Sequence, residues 1–278
     1  MFETIVRIFT LLPSVPRALV SGLLISLCAA LLGVSLVLKR YSMIGDGLSH
    51  VGFGTLAVAL SFGLAPLEIA VPVVLAAAFL LLRISENSKI KGDAAIALIS
   101  SSALAIGVIV VSQTRGINAD VYGYMFGSIL TLTHEDFVVS AGVSAFVLIF
   151  YTLFYNSIFA VTFDRSFAKA SGTRADAHNM LIALLTALVI VVGMRMMGAM
   201  LISSLIIFPA LTSMRIFKSF KSVVISSAVV SAVCFLAGIL FSFFLSTPAG
   251  ASIVVVNLIM LCLFAAVGFA ARFFKKKA

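Results

Sequence analysis

The chain has 278 residues, of which 62% are hydrophobic and only 10% are charged. A typical soluble domain is about 45–50% apolar and about 25% charged, so this composition excludes a soluble globular enzyme and a disordered chain. The net charge of +9 lies in short clusters between long apolar runs, a distribution that argues against nucleic-acid binding and is typical of an integral membrane protein.

Nine apolar runs approach the roughly 20 residues that a membrane-spanning helix needs. In chain order they are residues 17–38, 42–60, 67–82, 94–111, 137–155, 180–192, 199–211, 223–245 and 252–271. The two runs on either side of Arg195 are short, and residues 121–132 are consistent with a re-entrant or broken helix. We therefore predict one domain over residues 1–278, an all-α polytopic bundle of eight or nine spans.

The basic residues set the orientation of this bundle. If Lys39 and Arg40 lie inside and the spans alternate, only Arg7, Arg17, Arg115 and Arg195 of the 19 Lys and Arg residues fall outside. Basic loops stay on the cytoplasmic side of a membrane. The sequence thus predicts a multi-pass protein of the cell (inner) membrane, with its N-terminus out and its C-terminus in.

One pair of ionisable residues falls well within a predicted span. Asp46 and His50 are four residues apart and therefore share one face of a helix, and an ionisable residue within a span is by default a functional candidate. A carboxylate and an imidazole form a partial ligand set for Zn²⁺ or Mn²⁺. The structural alternative is a hydrogen-bonded pair that joins two helices. Three glycines nearby leave room for a cavity or for close packing: Gly47, Gly52 and Gly54.

Two other clusters have both a functional and a structural interpretation. His134, Glu135 and Asp136 precede a span on the predicted outside, where they form either an external metal-collecting site or a solvated helix start. Four methionines surround Arg195, and thioethers suit Cu(I), although flexible apolar packing explains them equally simply. These are Met194, Met196, Met197 and Met200.

The chain contains no phosphate-binding loop of the form Gly-x-x-x-x-Gly-Lys-Ser/Thr. If ATP drives transport, another chain must hydrolyse it, so we predict a transport subunit and not an enzyme.

Several segments in order along the chain resemble the permeases of metal-type ABC transporters. The run LVLKRYSMIGDGLSHVGFG (residues 36–54) is similar to the signature of that family, in which a basic pair precedes Gly-Asp-x-Leu-(Ser/Ala)-His. YMFGSILTLTHEDF, FDRSFAKASG, MRMMGAMLISSLIIFPALTSM and STPAGASIVV resemble later family segments. Gly47 departs from the family, which often has Ala or Thr there.

The resemblance implies the membrane subunit of an ATP-driven importer of Zn²⁺, with Mn²⁺ or Fe²⁺ as alternatives. It implies a second permease copy, two cytoplasmic ATP-binding subunits, an extracytoplasmic metal-binding protein and surrounding lipid as partners, with a transported metal but no permanent cofactor. Asp46 and His50 would line the metal path. A cytoplasmic loop at about residues 157–177 would dock on the ATPase through Asp164, Arg165, Phe167, Ala168 and Gly172.

Two rival functions remain open from the sequence. A proton-coupled secondary transporter would use Asp46 and His50 as a proton relay and would need no ATPase. A permease of the same architecture for an organic metal chelate would need a larger cavity, and its uptake would not depend on His50.

Overall fold

The computed structural model describes residues 14–87, 92–114, 123, 125, 127 and 132–277. Lys89, Lys91, Arg115 and most of the predicted re-entrant segment 121–132 lie outside these residues. The described chain is all-helical, as predicted. Its helices are α1 (Ser14–Leu38), α2 (Ile44–Ser61), α3 (Pro66–Asn87), α4 (Gly92–Gln113), α5 (His134–Leu153), α6 (Tyr155–Phe163), α7 (Arg165–Ala170), α8 (Ala175–Met197), α9 (Ala199–Met214), α10 (Phe220–Leu245) and α11 (Ala249–Lys277).

Within the described residues, seven helices are long and apolar enough to cross a membrane: α1, α3, α4, α5, α8, α10 and α11. The other two predicted runs are helices as well, but α9 has 16 residues, or about 24 Å at about 1.5 Å per residue. Helix α2 has 18 residues and carries Asp46 and His50, which lower its hydropathy. The predicted total of eight or nine spans therefore depends on these two helices.

Helices α1 and α8 form the centre of the bundle. In their most apolar 18-residue stretches 67% and 72% of the residues are buried, whereas only 11% are buried in that of α11. Helix α9 packs against both central helices and against α2, α10 and α11. Since lipid offers no hydrogen bonds, helices are the structure that satisfies the backbone of these apolar runs. The buried side chains of these elements form one main hydrophobic core.

Small residues bring the helices into backbone contact. A Cβ at Gly33 of α1 would lie 1.9 Å from the carbonyl oxygen of Ile206 in α9, and one at Gly54 of α2 would lie 2.4 Å from that of Ala103 in α4. Buried serines add hydrogen bonds between helices, such as Ser140 to Ser21 at 2.9 Å. Close small-residue contacts and hydroxyl bonds are the usual means of helix association in membranes.

Candidate metal centre

Helix α2 places the two predicted ligands together. The Nε2 atom of His50 lies 3.5 Å from Oδ2 of Asp46, and the two side chains are 27% and 41% exposed. The helix begins at Ile44, so Asp46 lies in its first turn and not well within a span as predicted from the apolar run. An acid in the first turn is favoured by the helix dipole, which gives Asp46 a structural role beside any role as a ligand.

Both side chains line a cavity of about 30 Å³, enough for one or two water molecules. Helices α2, α4 and α9 contribute to its walls together with Met125, and the lining residues are Asp46, Ser49, His50, Phe53, Leu104, Met125, Ala199 and Met200. Ser49 donates its hydroxyl hydrogen to the carbonyl of Gly45 at 2.8 Å, so its oxygen keeps only acceptor capacity. The cavity thus holds one carboxylate, one imidazole and one hydroxyl oxygen, inside mostly apolar walls.

This set does not complete a coordination sphere. Within the described ranges no group of three His, Cys, Asp or Glu side chains could hold a metal ion. A cation in the cavity would need ligands from water, from Ser49 or the methionine thioethers, or from another molecule, because zinc takes four ligands.

The glycines near the pair produce tight packing on the wall behind it. A Cβ at Gly47 would lie 2.6 Å from Cγ2 of Ile96, and one at Gly52 would lie 2.6 Å from Cε of Met194. Together with Gly54 they seat α2 against its neighbours. Of the two uses predicted for these glycines, their contacts support close helix packing, since none of the three lines the cavity.

The opposite wall lies at the junction of α8 and α9, where Gly198 has φ +87°. A Cβ at Gly127 would lie 2.2 Å from the carbonyl carbon of Met197, so two backbones meet there. Met194, Met196 and Met197 are buried, in agreement with the packing interpretation of the methionine cluster. Met200 differs, since it is 55% exposed and lines the cavity.

The three residues predicted as an external site have separate surroundings. Asp136 forms a capping box with Thr133 at the start of α5, and its Oδ1 lies 3.0 Å from a guanidinium nitrogen of Arg195. Asp136 is therefore engaged in the structure, as expected for a helix start. His134 and Glu135 are exposed, and they stay candidates for an external contact.

The predicted docking segment contains a short helix with an exposed aromatic residue. Asp164 caps α7 by accepting hydrogen bonds from the backbone N–H groups of Ser166 and Phe167, both at 2.9 Å. Ala168 is buried against Val161 and Ala175, while Phe167 is 67% exposed. The helix is thus anchored on one face and presents a phenylalanine on the other.

Two ion pairs hold this segment against the start of α8. Asp176 accepts from Nε of Arg165 at 3.1 Å and lies 3.0 Å from Nζ of Lys169. Gly172 takes φ +85° with no atom within 4 Å of a Cβ built there, so it serves as a turn residue, and its contact with an ATPase stays a prediction. Arg165 is therefore paired within its own chain while 38% of its side chain stays exposed, and its direct contact with an ATPase stays a prediction.

The sequence segments that carried the resemblance lie within the match to one family. The family described as the ABC 3 transport family matches residues 12–268, which is most of the chain. This protein belongs to the ABC 3 transport family. The predicted family is thereby confirmed, and a proton-coupled secondary transporter is not favoured.

Two named relatives and one solved structure resemble this chain over most of its length. The manganese import system permease protein ScaB of Streptococcus gordonii is 29% identical over 94% of this chain and 94% of its own length. The high-affinity zinc uptake system membrane protein ZnuB of Haemophilus influenzae is 30% identical over 86% of this chain and 91% of its own. A solved structure of PsaBC from Streptococcus pneumoniae in complex with Fab matches with a TM-score of 0.87 and 28% identity, covering all of both chains.

Sequence reasoning missed the far wall of the cavity of this ABC 3 family member. Met125 and Ala199 carried no signal of a site, since each is one small or apolar residue in apolar sequence. Met200 belonged to the methionine cluster already noted. Only its placement beside His50, 150 positions away in the chain, separates it from the three buried methionines.

Proposed function

We propose that this chain is the membrane-spanning permease of an ATP-driven importer of a divalent transition metal, with Zn²⁺ as the first candidate and Mn²⁺ or Fe²⁺ as alternatives. The observation that carries the proposal is the shared cavity of Asp46 and His50. The family match and the manganese and zinc names of the relatives support a metal as cargo. Imidazole and nearby thioethers favour Zn²⁺ over the harder Mn²⁺.

The ion path follows from the position of this cavity. Metal enters from the outside, is held briefly by Asp46 and His50 together with water, and leaves to the cytoplasm when the bundle changes conformation. A binding site with two protein side chains suits transport, because conduction requires that the ion also leaves. The orientation proposed here keeps the N-terminus out and the C-terminus in, with α2 and α9 completing the spans of one permease domain in the cell (inner) membrane.

The energy would come from two ATP-binding subunits beneath a pair of permeases. Segment 157–177 is the proposed docking element, because α7 is anchored by Asp164 and Ala168 and exposes Phe167. An exposed phenylalanine on a rigid short helix is the kind of anchor that a pocket on a partner protein accepts. His134 and Glu135 are proposed to face the extracytoplasmic metal-binding protein.

The metal site is tested by elemental mass spectrometry of cells under zinc limitation and then under manganese limitation. Asp46→Ala and His50→Ala are each expected to abolish accumulation of one metal at matched membrane levels. Thr55→Val is the matched control, because Thr55 is a polar residue of the same helix that does not line the cavity and whose hydroxyl donates to the carbonyl of Val51 in that helix. Normal accumulation by the two alanine variants would mean that the pair only stabilises the helix.

The docking element is tested by co-purification of an ATP-binding subunit. Phe167→Glu is expected to abolish co-purification while the permease still reaches the membrane, since the side chain is 67% exposed. The control is Phe244→Ala, because Phe244 is an exposed aromatic residue near the C-terminal end of α10 and lies outside the docking segment. Uptake that persists with no ATPase partner bound would instead support a secondary transporter.

A further inference from the structure

A second cleft, of about 420 Å³, opens between α1, α5, α6 and α10. It shares no lining residue with the cavity of Asp46 and His50. Its volume falls within the range of about 300–1,000 Å³ that is usual for small-molecule sites. Neither the transport path nor the docking segment described above uses it.

One end of this cleft is polar and positively charged. Lys221 lies at the start of α10, and Tyr155 and Asn156 are the first two residues of α6. Lys221 is exposed and has no carboxylate within ion-pair distance among the residues that the structure describes. Asp176, an acid of the docking segment, already pairs with Arg165 and Lys169. The polar end therefore has an uncompensated positive charge.

The other end of the cleft is apolar. Val224 and Ile225 follow Lys221 by about one helical turn, and Leu31 of α1 faces them across the cleft. Tyr151, about one helical turn before Tyr155, also lines the cleft, and tyrosine is enriched where a membrane protein meets the headgroup layer. The lining thus combines a cation, two phenol groups and aliphatic side chains, which complement the anionic headgroup and the acyl chains of a phospholipid.

We propose that this cleft binds one anionic phospholipid of the cytoplasmic leaflet. Its phosphate lies against Lys221 and the polar groups of Tyr155 and Asn156, and one acyl chain follows Val224 and Ile225. Charge complementarity selects a headgroup of net negative charge over a zwitterionic one, because the cleft supplies a cation and no acid. The assignment to the cytoplasmic leaflet rests on the proposed orientation.

A lipid in this cleft would bridge α10 and the helix that leads into the docking segment. The ring of Phe220, next to Lys221, lies 5.6 Å from Tyr155, 5.2 Å from Phe159 and 5.9 Å from Phe163. Asp164, which caps α7, follows Phe163 directly. The bound lipid would therefore stabilise the position of the docking segment, a consequence that rests on the proposed function while the binding itself does not.

The test is lipid binding to the purified full-length permease, measured by native mass spectrometry with phosphatidylglycerol and with phosphatidylcholine of the same acyl chains. Lys221→Gln is expected to weaken phosphatidylglycerol binding about fivefold and to leave phosphatidylcholine binding unchanged. Lys218→Gln removes the same charge three residues away, at a residue that does not line the cleft, and is expected to change either affinity less than twofold. Ile225→Trp, which fills the apolar wall, is expected to weaken both lipids.

Three outcomes would overturn the proposal. Equal losses from Lys218→Gln and Lys221→Gln would show general charge attraction, and displacement of the lipid by excess inorganic phosphate would show a free-anion site. Efficient cross-linking of Ile225→Cys between two permeases in native membranes, in a Cys262→Ser background, would show that a second copy covers the cleft. Metal accumulation by Asp46→Ala and His50→Ala separates this result from the proposed function. If the lipid site fails, the effects of these two substitutions on accumulation stay intact.

Discussion

Replacement of Gly54 by alanine tests whether the contact between α2 and α4 fixes the position of the candidate ligands. The new Cβ would lie 2.4 Å from the carbonyl oxygen of Ala103, whereas ordinary contact begins at 3.4 Å. Because the obstructing atom belongs to the backbone, no side-chain rotation relieves the overlap. The two helices must separate by about 1 Å, and overpacking of this kind costs about 1–3 kcal/mol.

The assay is the apparent melting temperature of the detergent-purified permease, together with metal accumulation in cells at matched membrane levels. Both are expected to fall for Gly54→Ala. Gly142→Ala on α5 is the matched control, since nothing lies within 4 Å of a Cβ at that position and alanine is the better helix former. Equal melting temperatures and equal accumulation for the two variants would refute the packing argument.

Three further predictions concern single side chains. Asp136→Ala should lower the melting temperature more than Arg195→Gln. Both substitutions remove a partly exposed ion pair worth at most about 1 kcal/mol, but only Asp136→Ala also removes a capping box worth about 1 kcal/mol. Equal decreases in melting temperature would contradict this. Asp164→Ala should speed hydrogen exchange at the amides of Ser166 and Phe167, which lose their cap, whereas Asp164→Ser should largely restore protection. In detergent, maleimide should modify Cys262 first, since Cys28 and Cys234 are buried. Faster modification of Cys28 or Cys234 would contradict the packing of α1 and α10 described above.

The helices could be predicted from the sequence because an apolar run in lipid has no alternative to helical hydrogen bonding. Their ends were harder to predict. The run at 180–192 was expected to stop before Arg195, yet α8 continues to Met197, because Arg195 finds Asp136 as its partner. That partner lies on another helix, 59 positions earlier in the chain, and no local pattern indicates it.

Of the two walls of the candidate site, the sequence allowed a prediction only of the one that carries Asp46 and His50. The spacing of Asp46 and His50 sufficed to place them on one helical face, since that relation is local. The wall formed by Met125, Ala199 and Met200 depends on how α9 and the chain at Met125 pack against α2, which periodicity does not encode. The engagement of Arg165 by Asp176 depends equally on the turn at Gly172, which brings α7 back against α8.

The two walls of the candidate metal cavity differ in how freely their sequence can vary. Behind Asp46 and His50, glycines hold α2 where even a methyl group would collide with a neighbouring helix. Opposite them stand Met125 and the half-exposed Met200, whose long unbranched side chains tolerate exchange. Changes in metal preference, whether by evolution or by design, would therefore be easiest at these two methionines, where the ligand environment can change while the helix that carries the carboxylate and imidazole stays in place.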